Sequence, residues 1–186
     1  MGSKMVAATT LFLGGARSGK SRLAQAAAES CGGPLTYLAT GEARDEEMAA
    51  RINRHRADRG ERWRTIECPI DLPGAITTVT AGAAVIDCLT LWLSNLMLGN
   101  HDPDRGTRDL LNAISAATVP LYIVSNEVGL GIVPETPLGR AFRDEAGRLN
   151  QAVAARAEEV LLVVAGMVLP LHPYSPSLRS GAGGMV

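Results

Sequence analysis

Eight consecutive residues, Gly14-Gly15-Ala16-Arg17-Ser18-Gly19-Lys20-Ser21, fit the pattern GxxxxGK[ST] at every fixed position. Glycines let backbone N–H groups turn inward around phosphate oxygens with no Cβ in the way. A helix beginning here turns its positive N-terminal end to the same anion. Lys20 can then reach the β- and γ-phosphates as a point charge, and the Ser21 hydroxyl can ligate Mg²⁺. The apolar run Ala83-Ala84-Val85-Ile86-Asp87 supplies a carboxylate at the end of a strand, where a second metal ligand is needed. A strand ending in Asp can equally cap a following helix; the phosphate loop is what favours the metal role. Guanine-reading GTPases carry NKxD, and the nearest approach, Asn126-Glu127, lacks both the Lys and the Asp. Two Trp, three Tyr and two Phe, with a net charge of −1, offer little for stacking bases or holding a nucleic-acid backbone. What remains is a small-molecule kinase or transferase.

A second group of residues invites chemistry. The chain has two lysines, Lys4 and Lys20, against sixteen arginines, seven of them between Arg44 and Arg64. The segment Asp45–Arg59 reads as a helix on which Glu47, Arg51, His55 and Arg59 fall along one face at a four-residue step. Two accounts fit these residues. One is a solvated helix held by i,i+4 ion pairs worth ~0.3–0.5 kcal/mol each. The other is a nucleophile: surrounding cations disfavour the imidazolium, leaving His55 a free lone pair to attack phosphorus while guanidiniums bind the phosphate oxygens. That second arrangement suits nucleotidyl transfer through a covalent His–NMP intermediate.

Such residues need elements to hold them. Apolar runs alternate with amphipathic segments along the chain, the pattern of an α/β protein with a mostly parallel sheet flanked by helices. Strands are expected at Met5–Leu13, Leu35–Ala39, Ala83–Asp87, Leu121–Ser125 and Val160–Ala165. Helices are expected at Lys20–Glu29, Asp45–Arg59, Leu72–Thr80, Leu91–Leu98, Arg108–Ala117 and Leu138–Glu158, with a polar surface loop over Gly99–Thr107. With 186 residues, 46% of them hydrophobic, the expectation is one domain spanning 1–186, its tails at 1–4 and about 173–186 poorly ordered. Cys31, Cys68 and Cys88 form no CxxC pair, so neither a zinc site nor a disulfide scaffold is indicated and a reducing cytoplasm is the natural setting. No apolar run reaches the ~18–20 residues that cross a bilayer. Lys4 and the apolar Met5–Leu13 imitate a secretory signal, but the phosphate motif needs that stretch as its strand. The loop Ser125–Glu135, with Gly129 and Gly131, follows a strand and should face a ligand at the carboxyl ends of the sheet. Substrate lining and subunit contact are both open for it.

GGARSGKS, ATGEARDEEMAARINRHRADRGERWRTIE, VIDCLTLWLSNL and SNEVGLGIVPETPLGRAFRDEAGRLNQAVAARAEEVLLVVAG together span about Leu11 to Gly166. In these motifs the chain resembles the adenosylcobinamide kinase/adenosylcobinamide-phosphate guanylyltransferase family of cobalamin biosynthesis. The resemblance implies a RecA-like P-loop NTPase fold, a homotrimer and a bifunctional cytoplasmic enzyme. Such an enzyme phosphorylates adenosylcobinamide with ATP or GTP, then transfers GMP from GTP to adenosylcobinamide phosphate. By that resemblance the guanylylated histidine is His55, in the RIxxHR segment. The nucleotide site comprises Gly14, Gly15, Ala16, Arg17, Ser18, Gly19, Lys20 and Ser21, then Thr40, Gly41 and Glu42, then Arg56, Ala57, Asp58 and Arg59, with Glu67 and Asp87. Lys20 and His55 would be catalytic, and Ser21 and Asp87 would hold Mg²⁺. Some family members carry a second His before the reactive one, where this chain has Arg54. A plain P-loop kinase lacking the guanylyltransferase step is the alternative.

Overall fold

The computed structural model describes residues 7–42, 46, 60 and 62–171. Seven strands form one sheet: β1 (Thr9–Gly14), β2 (Leu35–Ala39), β3 (Trp63–Glu67), β4 (Ala83–Asp87), β5 (Leu121–Asn126), β6 (Glu159–Val164) and β7 (Met167–Leu171). Their order is β3-β2-β4-β5-β1-β6-β7, and every neighbouring pair is parallel except the antiparallel β6–β7. The described helices are α1 (Lys20–Ser30), α2 (Leu72–Thr77), α3 (Leu89–Leu98), α4 (Pro103–Ala116) and α5 (Pro137–Ala154).

Parallel neighbours need crossover helices, and those helices bury both faces of the sheet. On one face Leu11, Leu38, Ala84, Ile86, Leu121 and Ile123 pack beneath α2 to α5, around a fully buried Trp92 whose indole N–H donates to Ile70 O at 2.8 Å. On the other, Phe12, Tyr37, Val85, Val124 and Val163 meet Ala24 and Ala28 of α1. This two-sided burial is why the central strands read as continuous apolar runs. It gives the expected mostly parallel, helix-flanked sheet.

Several boundaries differ from expectation, each for a physical reason. β1 begins at Thr9 rather than Met5, because its partner β5 begins at Leu121, opposite Thr9; residues 5 and 6 lie outside the described residues. β3 and β7 are unanticipated edge strands. Trp63 of β3 is buried while the next residue, Arg64, is exposed, and β7 is exposed along its whole length, so neither carries a core-strand signature. The expected loop Gly99–Thr107 turns helical at Pro103. The Asp102 carboxylate accepts from the backbone N–H groups of Asp104 and Arg105, and Pro103 sits at the first helical turn, a polar start signal rather than a loop. Gly106 then lies where a Cβ would come within 2.7 Å of Leu96, so its small size lets α4 approach α3. α3 starts at Leu89 rather than Leu91, and α5 ends at Ala154 rather than Glu158. The expected helix Asp45–Arg59 lies outside the described residues except for Glu46, as does the tail from 173.

Candidate active site at the carboxyl edge of the sheet

The phosphate loop joins β1 to α1 as the motif requires. Arg17 (φ 56°) and Gly19 (φ 99°) take left-handed conformations that turn successive N–H groups to one side. α2, α4 and α5 have side-chain caps from Asp71, Asp102 and Thr136. Like α3, α1 has neither a side-chain cap nor an acidic residue in its first turn. Its first N–H groups are therefore left for an anion. Lys20 is buried and donates from Nζ to Gly15 O at 2.8 Å, holding its ammonium inside the loop. Ser18 Oγ is buried without a hydrogen-bond partner. An orphaned buried hydroxyl within such a loop fits a phosphate oxygen.

Along the carboxyl edge, the strand order places the expected groups in a row. Ala39 is level with both Asp87 and Glu67, so Thr40, Gly41 and Glu42 leave β2 between these two carboxylates. Asp87 is level with Val124 of β5, and Asn126, two residues further, is level with Gly14. The row therefore runs Glu67, Thr40–Glu42, Asp87, Asn126, Gly14, with β5 separating the phosphate loop from Asp87. Four strand steps of ~4.8 Å put about 19 Å between its ends. Glu67 and Thr40–Glu42 thus lie well away from Gly14–Ser21 along this edge. His55 and Arg56, Ala57, Asp58 and Arg59 lie outside the described residues.

Unexpected polar contacts stiffen this edge. The Tyr37 hydroxyl donates to Asp87 Oδ2 at 2.7 Å, fixing the carboxylate from the neighbouring strand. Thr40 Oγ1 donates to Cys88 O at 2.7 Å and accepts from Cys88 N at 2.8 Å. Asn95 Nδ2 donates to Thr40 O at 2.7 Å. Thr90 Oγ1 accepts from both Asn126 N (3.0 Å) and Asn126 Nδ2 (2.8 Å), while Asn150 Nδ2 donates to Asn126 O at 3.2 Å. Tyr37, Thr90 and Asn126 thus position this edge, and motif reading passes over them; the one local signal is that a buried strand, LYIVSN, ends in a polar pair. A further contact comes from the β6–β7 turn, where Gly166 N donates to Ser18 O at 2.8 Å.

Two buried thiols stand at this edge among the described residues, Cys88 next to Asp87 and Cys68 next to Glu67. Burial above all, and then the Asp87 charge, push the ionisation of Cys88 up, so it remains a thiol rather than a nucleophilic thiolate. The same cause, with Asp71 second, raises Cys68 to about 12.

Residues 10–171 match the family described as cobinamide kinase / cobinamide phosphate guanyltransferase. The chain is 48% identical over 166 residues to the bifunctional adenosylcobalamin biosynthesis protein CobP of Pseudomonas aeruginosa, covering 87% of this chain and 95% of that protein. It is 43% identical over 174 residues to the bifunctional adenosylcobalamin biosynthesis protein CobU of Salmonella typhimurium, covering 84% of this chain and 96% of that protein. The CobU of Escherichia coli is 42% identical with the same coverage. Among solved structures, the RadB recombinase aligns with a TM-score of 0.42 at 15% identity, over 83% of this chain and 73% of that one.

Proposed function

The chain belongs to the cobinamide kinase / cobinamide phosphate guanyltransferase family, and from that premise we propose how its residues divide two successive transfers. The protein phosphorylates adenosylcobinamide with ATP or GTP. It then transfers GMP from GTP to adenosylcobinamide phosphate, giving adenosylcobinamide-GDP and pyrophosphate. The observation that carries this reading is the phosphate loop: uncapped α1, buried Lys20 inside the loop and the orphaned Ser18 hydroxyl.

In the kinase step the loop amides of Gly14–Ser21 and the Lys20 ammonium bind the triphosphate and stabilise charge as the γ-phosphoryl group passes to the acceptor hydroxyl. Ser21, at the first turn of α1, and Asp87, steadied by Tyr37, suit the hard-oxygen preference of Mg²⁺ and would hold it. When bound, Mg²⁺ supplies charge neutralisation on the β- and γ-phosphates. In the second step His55 attacks the α-phosphorus of GTP, forming a P–N bond as pyrophosphate leaves with the electron pair of the broken P–O bond. The cobinamide phosphate then displaces His55 from phosphorus. Arg56 and Arg59 neutralise the triphosphate, and Ala57 and Asp58 complete that stretch of the nucleotide site. Thr40, Gly41, Glu42 and Glu67 contact the base or ribose, which accords with their place beyond Asp87. The protein acts in the cytoplasm, where its three free cysteines stay reduced. No helix among the described residues is long and apolar enough to cross a membrane. Its assembled form is a homotrimer.

The test of the second step is incubation with α-labelled GTP and Mg²⁺ followed by denaturation. Label should stay on the wild-type chain and be absent from His55→Ala; equal label on both would overturn the covalent route and leave the plain kinase.

A further inference from the structure

The loop after β5 was open between lining a substrate and contacting a subunit, and its first residue now has a defined place. β5 stands between the phosphate-loop strand and the Asp87 strand, and it outruns Asp87 by two residues to come level with Gly14. Glu127 is the first residue beyond that end. Its backbone N–H donates to Gly14 O at 3.1 Å, which fixes it beside the entry of the phosphate loop. Its foundation is rigid, because Asn126 is held through its N–H and carboxamide by Thr90 and through its carbonyl by Asn150. Glu127 Oε1 accepts from Gly129 N at 2.6 Å, which orients a half-buried carboxylate and leaves Oε2 able to accept another hydrogen bond.

Other carboxylates at this edge have different places. Asp87 is bonded to Tyr37 and suited to the metal. Glu42 and Glu67 lie on the β2 and β3 side of Asp87, away from the phosphate loop. Glu158 donates its N–H to Thr9 O at the start of β1, the opposite edge of the sheet. Among the described residues, Glu127 is the carboxylate on a strand end directly paired with the phosphate-loop strand.

Phosphorylating an alcohol creates one specific need: the hydroxyl proton must go to a positioned base as its oxygen approaches γ-phosphorus. We propose that Glu127 is that base in the kinase step, an assignment that rests on the reading of the chain as an adenosylcobinamide kinase. The acceptor O–H bond breaks with its proton passing to the Glu127 carboxylate. The O–Pγ bond forms, and the bond from Pγ to the bridging oxygen breaks with its pair leaving on ADP or GDP. Glu127 then returns the proton to solvent.

The competing account makes Glu127 a loop cap for Gly129 and nothing more. Glu127→Gln separates the two, because a carboxamide oxygen still accepts from Gly129 N but takes up no proton. Steady-state phosphorylation of adenosylcobinamide with γ-labelled ATP is measured from pH 5 to 9 for wild type, Glu127→Gln and Glu127→Asp. The expected result is a kcat lowered by roughly 10²–10⁴-fold in Glu127→Gln, the range for loss of a general base, with KM for ATP unchanged. Glu127→Asp, which keeps a carboxylate, should recover part of the rate. A Glu127→Gln enzyme with wild-type kcat across this range overturns the proposal. Should that variant fail to fold, Glu127→Asp decides: a lowered kcat with ATP affinity retained supports the base, and wild-type kcat overturns it. A wild-type chain that binds ATP but does not phosphorylate adenosylcobinamide overturns the kinase reading itself, and this assignment with it.

Discussion

Burial pushes the Cys68 thiol up to about 12 from its ordinary 9.0, with the Asp71 charge adding to the effect. Cys88 is raised by the same cause, with Asp87 second. Tyr122 rises to about 12, mainly through burial and then its hydrogen bond with Cys31 at 2.9 Å. All three favour their protonated, neutral forms in the fold, and their contribution to stability has a definite sign. Below about pH 9 the folded and unfolded chains both keep these protons and the contribution is complete. Between about 9 and 12 the unfolded chain ionises while the folded one does not, so stability must fall as pH rises. Urea midpoints measured from pH 8 to 10.5 should decline, and Cys68→Ala should decline less steeply over that interval than wild type. Parallel curves would show that Cys68 is not held protonated by its surroundings.

At the scale of elements, the β6–β7 hairpin does more than widen the sheet. Its two-residue turn, Ala165 (φ 52°) and Gly166 (φ 79°), has the left-handed geometry of a tight hairpin, and the Gly166 N–H reaches Ser18 O at 2.8 Å. A Cβ on Gly14 would collide with Val163 O of β6, so this hairpin supports the phosphate loop at both its start and its middle. Gly166→Pro removes that donor and demands a negative φ. The loss of one such hydrogen bond, ~0.5–1.5 kcal/mol, should weaken ATP binding by up to about tenfold in a calorimetric titration. An unchanged Kd would show that the loop holds its shape alone. None of this coupling was legible in the sequence, and the reason is separation along the chain. Gly14–Ser21 is a local pattern and Asp87 ends a continuous apolar run, so both could be read directly. Tyr37 and Asp87 are 50 residues apart, and Thr90 and Asn126 are 36 apart, so their bonds exist only once the strand order is known. Elements follow the same rule. Leu35–Ala39 and Ala83–Asp87 were legible to the residue because both faces are buried. β3 and β7 were not, because an edge strand alternates or exposes its side chains as a loop does.

For the whole molecule, two exposed apolar surfaces bear on assembly. One is the segment after β5, where Leu130 is 88% and Ile132 is 97% exposed, with Val133 and Leu138 also exposed. The other is the β6–β7 edge, where Val164, Met167 and Leu169 are exposed. Exposed apolar surface of this kind marks contact between chains, and an open edge strand invites pairing. A dimer built on a twofold axis joins a patch to itself, whereas a ring of three must join each chain's first surface to its neighbour's second. Two dissimilar patches on one chain are what a closed trimer needs. With a formal net charge of only −1, self-repulsion opposes such a ring little. On the proposed homotrimer, sedimentation velocity should give three times the 19.5 kDa chain mass for the wild type. Ile132→Glu and Leu169→Glu should each sediment as monomers, because either change disables every interface of the ring. Mixing the two variants leaves one intact pairing, the unaltered loop of the Leu169→Glu chain against the unaltered edge of the Ile132→Glu chain, and should yield a dimer but no trimer. If Leu169→Glu alone leaves assembly intact, the edge takes no part and the loop must pair with itself, which would replace the threefold ring by a twofold dimer.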